Sequence, residues 1–188
     1  MGRGYTLVEL ITAMAIAAVA LHAAAPAMSD FLARQRAIAV VNAVITTTQL
    51  ARTSAIMHRQ RVTFCSVDPA NTERCGGRGD WHHGALIFAD ANRNRRHEAT
   101  EALYGGMPAL RRGESLIWRS FRNRSYLQFL PTGLTPWQNG HFQYCPADSD
   151  DRFARQLILN AQGRVRVARD LNGDGIVEDA QRRPLSCL

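Results

Sequence analysis

Arg3-Gly4-Tyr5-Thr6-Leu7-Val8-Glu9-Leu10, with the apolar run that continues to Met28, is the stretch that decides the fold. Residues 1–4 are too short for the charged region of an ordinary secretory signal. No small-residue cleavage site closes a short apolar region either, so the run is expected to stay on the chain. From Leu7 to Met28 it is long enough to cross a bilayer as a helix, which takes about 20 apolar residues. Glu9 stands just inside it. A carboxylate in hydrocarbon is expensive, so Glu9 is expected to have a partner and a purpose.

Beyond Ser29 the helix changes character. Val40, Val41, Val44, Ile45, Ala51, Ala55 and Ile56 recur at helical spacing on one broad face, with Arg36, Asn42, Gln49 and Thr53 elsewhere on the wheel. This predicts an amphipathic segment over 30–60, ending near His58 to Gln60 and packing on a domain that fills 61–188. In that domain short apolar runs predict strands at Arg61–Val67, Ala85–Ala89, Leu116–Phe121, Tyr126–Leu130, His141–Tyr144, Arg155–Leu159 and Arg164–Ala168. Turn signals separate them at Cys75-Gly76-Gly77, Gly105-Gly106, Pro131-Thr132-Gly133, Asn139-Gly140 and Asn160 to Gly163. One long helix followed by antiparallel strands is an α+β protein.

All 23 basic residues are arginine, and the formal net charge of +7 favours a polyanionic partner or an anionic membrane face. Cys65, Cys75, Cys145 and Cys187 form no CxxC pair and no zinc-spaced cluster, so an even count in an exported chain predicts two disulfides. Three connectivities are open. Ten residues separate Cys65 from Cys75 and make a local bridge easy, which leaves Cys145 with Cys187. No HExxH, nucleophile elbow or phosphate loop occurs, and His82-His83 reads as a surface turn, so an enzyme is not expected.

The N-terminal stretch resembles the type III signal of prepilins: a basic residue, Gly, an aromatic, then Thr-Leu-x-Glu-Leu. The resemblance implies that a prepilin peptidase removes residues 1–4 as a leader, cutting between Gly4 and Tyr5 and methylating Tyr5. It makes 5–29 the transmembrane and assembly helix, and Glu9 the acid that pairs with a neighbouring subunit's terminal amine. Pro26 falls where many pilins kink. Ala51 to Ile56 followed by Arg61 to Cys65 resembles the helix-to-strand junction of the GspH/FimT branch of pilin-like proteins. A bridge tying down the C-terminal segment is common among pilins. The implied partners are other major and minor pilins, and the implied location is the inner membrane, then a pilus fibre or tip.

In Gly163-Arg164-Val165-Arg166 the glycine suits a hairpin turn, and alternation along the strand puts Arg164 and Arg166 together on the outward face, with Val165 and Val167 inward. Their side chains repeat after about 6.5–7 Å, close to the phosphate spacing of an extended nucleic acid strand. Guanidinium forks match phosphate oxygens. The run resembles the Gly-Arg-x-Arg motif of DNA-binding members of that branch. It implies a minor pilin that takes up DNA for natural transformation, with Arg169, Arg182 and Arg183 extending the patch. The rival is a structural pseudopilin of a type II secretion system with no nucleic-acid role. Asp170, Asn172, Asp174 and Glu178 reproduce the first half of a calcium loop, but its twelfth position is Gln181 in place of Glu. A plain turn rich in Asp and Asn competes with calcium there, and the similar Asp90-Ala91-Asn92-Arg93-Asn94 is not expected to bind a metal.

Overall fold

A computed structural model describes residues 6–76, 79–121 and 124–187. The expected processing junction, Gly4–Tyr5, lies outside the described residues. The chain divides into two compact units, Met1–Arg36 and Ala37–Leu188. Helix α1 spans Leu7–Met57, includes Pro26, and contains a stretch long and apolar enough to cross a membrane. Its start is a capping box. Thr6 Oγ1 accepts from the Glu9 N–H (3.2 Å), while Glu9 Oε2 accepts from the Thr6 N–H (2.8 Å) and hydroxyl (3.0 Å). Within one chain, then, Glu9 satisfies the helix's own orphan donors.

Among the described residues of the second unit, nine antiparallel strands form two sheets. β1 (Val62–Asp68) pairs with β2 (Asn71–Cys75), β3 (Ala85–Ala89) and β6 (Tyr126–Phe129), and β3 pairs with β4 (Leu103–Met107). The second sheet runs β5 (Ser115–Ser120), β7 (Gly140–Cys145), β8 (Arg155–Leu159), β9 (Val165–Val167), so β9 is an edge. Ala37, Val40, Val41, Val44, Ala51 and Ala55 of α1 pack into a core with Phe64, Ile87, Leu127 and Phe129 of the first sheet and Trp118, Phe142 and Leu157 of the second. Trp81 joins them, its ring edge-on to Phe64 (4.6 Å) and Phe142 (4.9 Å). A fully buried polar cluster ties the first sheet together: Asp90 Oδ2 accepts from the Thr63 hydroxyl (2.6 Å) and from Gln128 Nε2 (2.7 Å). Asp90 is thus committed to the fold.

α1 ends at Met57, beside the expected His58 to Gln60, and Arg59 turns the chain with φ +50°. Other expectations need correction. Ile56 is 44% exposed and leaves the buried face. The Gly105-Gly106 pair is not a turn but the middle of β4. A Cβ at Gly106 would lie 2.1 Å from the Ala85 carbonyl, so the glycine permits close strand approach. Cys75 ends β2, a strand with no apolar alternation to reveal it, and Gly140 opens β7 where a turn was expected. Both cysteine pairs form as expected, Cys65–Cys75 and Cys145–Cys187.

Candidate nucleic-acid interface

The Asn160–Gly163 turn joins β8 to β9. Asn160 builds it: its Oδ1 accepts from the N–H groups of Gln162 and Arg164 (both 3.0 Å), and its carbonyl accepts from Gly163 (2.9 Å). Gly163 takes φ +72° and is buried; a Cβ there would meet the Gly133 carbonyl at 2.9 Å and the Phe129 ring at 3.0 Å. The stem of Arg52, from α1, lies over the same turn, 3.6 Å from that position. A third arginine therefore stands over the turn that precedes Arg164.

Arg164 and Arg166 are both exposed. Among the described residues neither guanidinium is bonded to a carboxylate or carbonyl. Val165 packs against the core, but Val167 is 37% exposed and does not enter it as expected. Val165 and Val167 pair with Leu159 and Leu157 of β8, both buried, while β9 itself stands at the sheet edge. Opposite residues share a sheet face, and the register aligns Arg119, His141, Ile158 and Arg166 in one row across the four strands. Leu116 and Trp118 face the core, so Arg119 and this row lie on the other face. Burial first, then the Arg119 charge, holds the His141 imidazole below its ordinary 6.5.

The other expected arginines fare unequally. Arg169 and Arg182 are exposed, Arg182 in a left-handed turn with φ +62°. Arg183 is committed to Asp179, through Nε at 3.0 Å and Nη2 at 2.8 Å, so its charge is largely cancelled. Burial raises the Asp179 carboxyl, but the bonds from Arg183 outweigh it and hold the group below its usual range.

The Asp170–Glu178 loop gathers three of its four expected ligands. Carboxylate oxygens of Asp170, Asp174 and Glu178 lie within 4.8 Å of one another. These are the groups that a divalent cation would take. The loop also closes on itself: Asp170 accepts from the N–H groups of Gly173 (2.6 Å) and Gly175 (2.9 Å), which lower its pKa. Asn172 Nδ2 donates to Asp174 Oδ2 (3.0 Å), and Glu178 accepts from the Leu171 N–H (2.8 Å).

Two features escaped the sequence reading. Arg52 entered it only as part of the Ala51 to Ile56 helix-to-strand junction, with no role of its own. Trp137, in Thr135-Pro136-Trp137-Gln138, is 85% exposed with φ +58°, whereas Trp81 and Trp118 are buried. Nothing in a loop sequence distinguishes an exposed tryptophan from one that folds back onto the core.

A long N-terminal helix packed on antiparallel sheets, with two disulfides, defines a pilin-type subunit. The family model described as type II transport protein GspH matches residues 40–163, and that for the prokaryotic N-terminal methylation motif matches residues 2–25. The chain belongs to the GspH family. Among solved structures it is similar to the type IV minor pilin FimU of Pseudomonas aeruginosa in two crystal forms. One gives 20% identity and a TM-score of 0.54, covering 86% of this chain and 99% of that one. The other gives 20% identity and a TM-score of 0.52, covering 82% and 99%. It also resembles the minor pseudopilin EpsH of the Vibrio cholerae type 2 secretion system at 12% identity and TM-score 0.48, covering 70% and 95%. No curated protein matches. The GspH match ends at Gly163, so Arg164 and Arg166 lie beyond it.

Proposed function

We propose that this GspH-family subunit is a DNA-binding minor pilin of a type IV pilus, serving DNA uptake in natural transformation. The observation that carries the reading is the pair Arg164 and Arg166, one just before and one within the edge strand β9, both exposed, with no carboxylate bonded to either among the described residues, and held in place by the Asn160–Gly163 turn. An unpaired arginine keeps its full charge for a phosphate, whereas Arg183 has spent its own on Asp179. Arg52 adds a third cation from the helix, and Arg119 and Arg169 widen the basic surface. Contacts of this kind go to phosphates and carry no base information, as uptake of arbitrary DNA requires.

In this reading a prepilin peptidase cuts between Gly4 and Tyr5. The mature chain waits in the inner membrane through α1 before joining other pilins, where Glu9 exchanges its cap on Thr6 for a neighbour's terminal amine. The test is binding of several duplexes of unrelated sequence over a salt series. Affinities should agree across sequences and fall with log[salt] at a slope of about −0.9 per phosphate contacted. No binding at low salt would make the protein a structural pseudopilin of a type II secretion system.

A further inference from the structure

Trp137 is the exposed member of the three tryptophans, and its backbone holds a left-handed φ of +58°, a conformation that L-residues disfavour. The loop around it is fixed. The Thr135 N–H (3.1 Å) and hydroxyl (3.0 Å) both donate to the Ala161 carbonyl, and the hydroxyl also reaches the Gln138 carbonyl (2.8 Å). Gln138 is fully buried, and its Oε1 accepts from the Gln128 N–H (2.6 Å). The residue two before Trp137 and the residue just after it are therefore anchored, and the indole between them stands in solvent. Ala161 belongs to the turn that delivers Arg164, and Gly163 of that turn packs against the Gly133 carbonyl and the Arg52 stem. The loop that carries Trp137 and the stem of Arg52 thus both meet the turn that delivers Arg164.

We infer that Trp137 is a stacking platform for an unpaired nucleobase, and that the surface prefers single-stranded nucleic acid to duplex. The inference rests on the DNA-binding reading above and adds to it the strandedness of the ligand. Single-strand binders combine cations that follow the backbone with aromatic faces on which bases stack, and stacking tolerates any sequence. In a duplex every base face is already covered, and exposing one costs a few kcal/mol. Arg164 and Arg166 engage phosphates in either ligand, whereas Trp137 gains only when a base is free.

The full chain in nonionic detergent is titrated with oligo-dT and with a duplex of equal length, reading both affinity and tryptophan fluorescence. Trp81 and Trp118 are buried, so quenching by oligo-dT reports on Trp137. Wild type should bind oligo-dT more tightly and be quenched by it. Trp137→Ala should lose the quenching and weaken oligo-dT binding about fivefold or more, while duplex binding changes less than about twofold. Trp137→Phe should restore most of the affinity. At 85% exposure the side chain buries little, so the melting temperature should hold in both variants. If Trp137→Ala binds both ligands like wild type, or loses both equally, the stacking role falls and DNA binding stands. If wild type binds neither ligand, the DNA-binding reading falls and this inference with it.

Discussion

Replacing Gly163 by alanine probes the turn on which the arginine pair depends. Two costs are separable. The first is backbone: φ +72° is left-handed, and an L-residue there costs about 1–2 kcal/mol. The second is space. The added Cβ would lie 2.9 Å from the Gly133 carbonyl and 3.0 Å from the Phe129 ring, and overpacking of this kind costs about 1–3 kcal/mol. Gly173 supplies the control, because it has φ +81° but nothing within 4 Å of an added Cβ. Gly173→Ala should therefore show the backbone cost alone, about 1 kcal/mol, and Gly163→Ala about 3 kcal/mol. In a chain of this size each kcal/mol lowers the melting temperature by about 2–4 °C. Thermal unfolding followed by circular dichroism should then place Gly163→Ala about 6–12 °C below wild type and Gly173→Ala about 2–4 °C below. Equal shifts would refute the packing of this turn against Gly133 and Phe129.

Replacing Cys145 and Cys187 by alanine opens a bridge across 42 residues and should cost about 4 kcal/mol on the chain-entropy account. Opening Cys65–Cys75, across 10 residues, should cost about 3, and denaturant midpoints would show the order. His141 has a folded pKa below its ordinary 6.5, so between those values the unfolded chain takes up more protons. Stability should be level above about pH 6.5 and fall as pH drops below it, and His141→Gln should flatten that fall in melting curves from pH 7 to 5. Processing between Gly4 and Tyr5 should give an intact mass that starts at a methylated Tyr5. A retained Met1, or cleavage beyond Met28, would contradict it.

The helix and most strands were legible because they follow simple periods: a mostly apolar run to Met28, then a buried face at helical spacing through Ala55. Where the reading failed, glycine or polarity hid the strand. Gly106 serves close strand packing as readily as a turn, and Asn71 to Cys75 shows no apolar alternation because its partner β1 already supplies the core residues. The hairpin of Arg164 and Arg166 could be placed from Gly163 alone, since the turn is local. Its surroundings could not, because Arg52 reaches the same turn from α1 and Thr135, two residues before Trp137, reaches it from the β6–β7 connection. The commitment of Arg183 to Asp179 depends on a tight turn through left-handed Arg182, a backbone state that sequence gives no reason to expect of arginine.

If Arg164 and Arg166 form a dedicated phosphate clamp, their loss should cost DNA binding more than the same charge removed elsewhere. Arg164→Gln with Arg166→Gln keeps the strand polar. Arg111→Gln with Arg112→Gln makes the same charge change just before Ser115, at the end of the second sheet away from Val165. Both pairs are exposed, and both double variants should melt like wild type. Duplex affinity at low salt should fall at least about tenfold for the first pair, with the salt slope shallower by about 2, and change less than about twofold for the second. Equal losses from both pairs would mean that net charge alone attracts DNA, and would contradict the clamp.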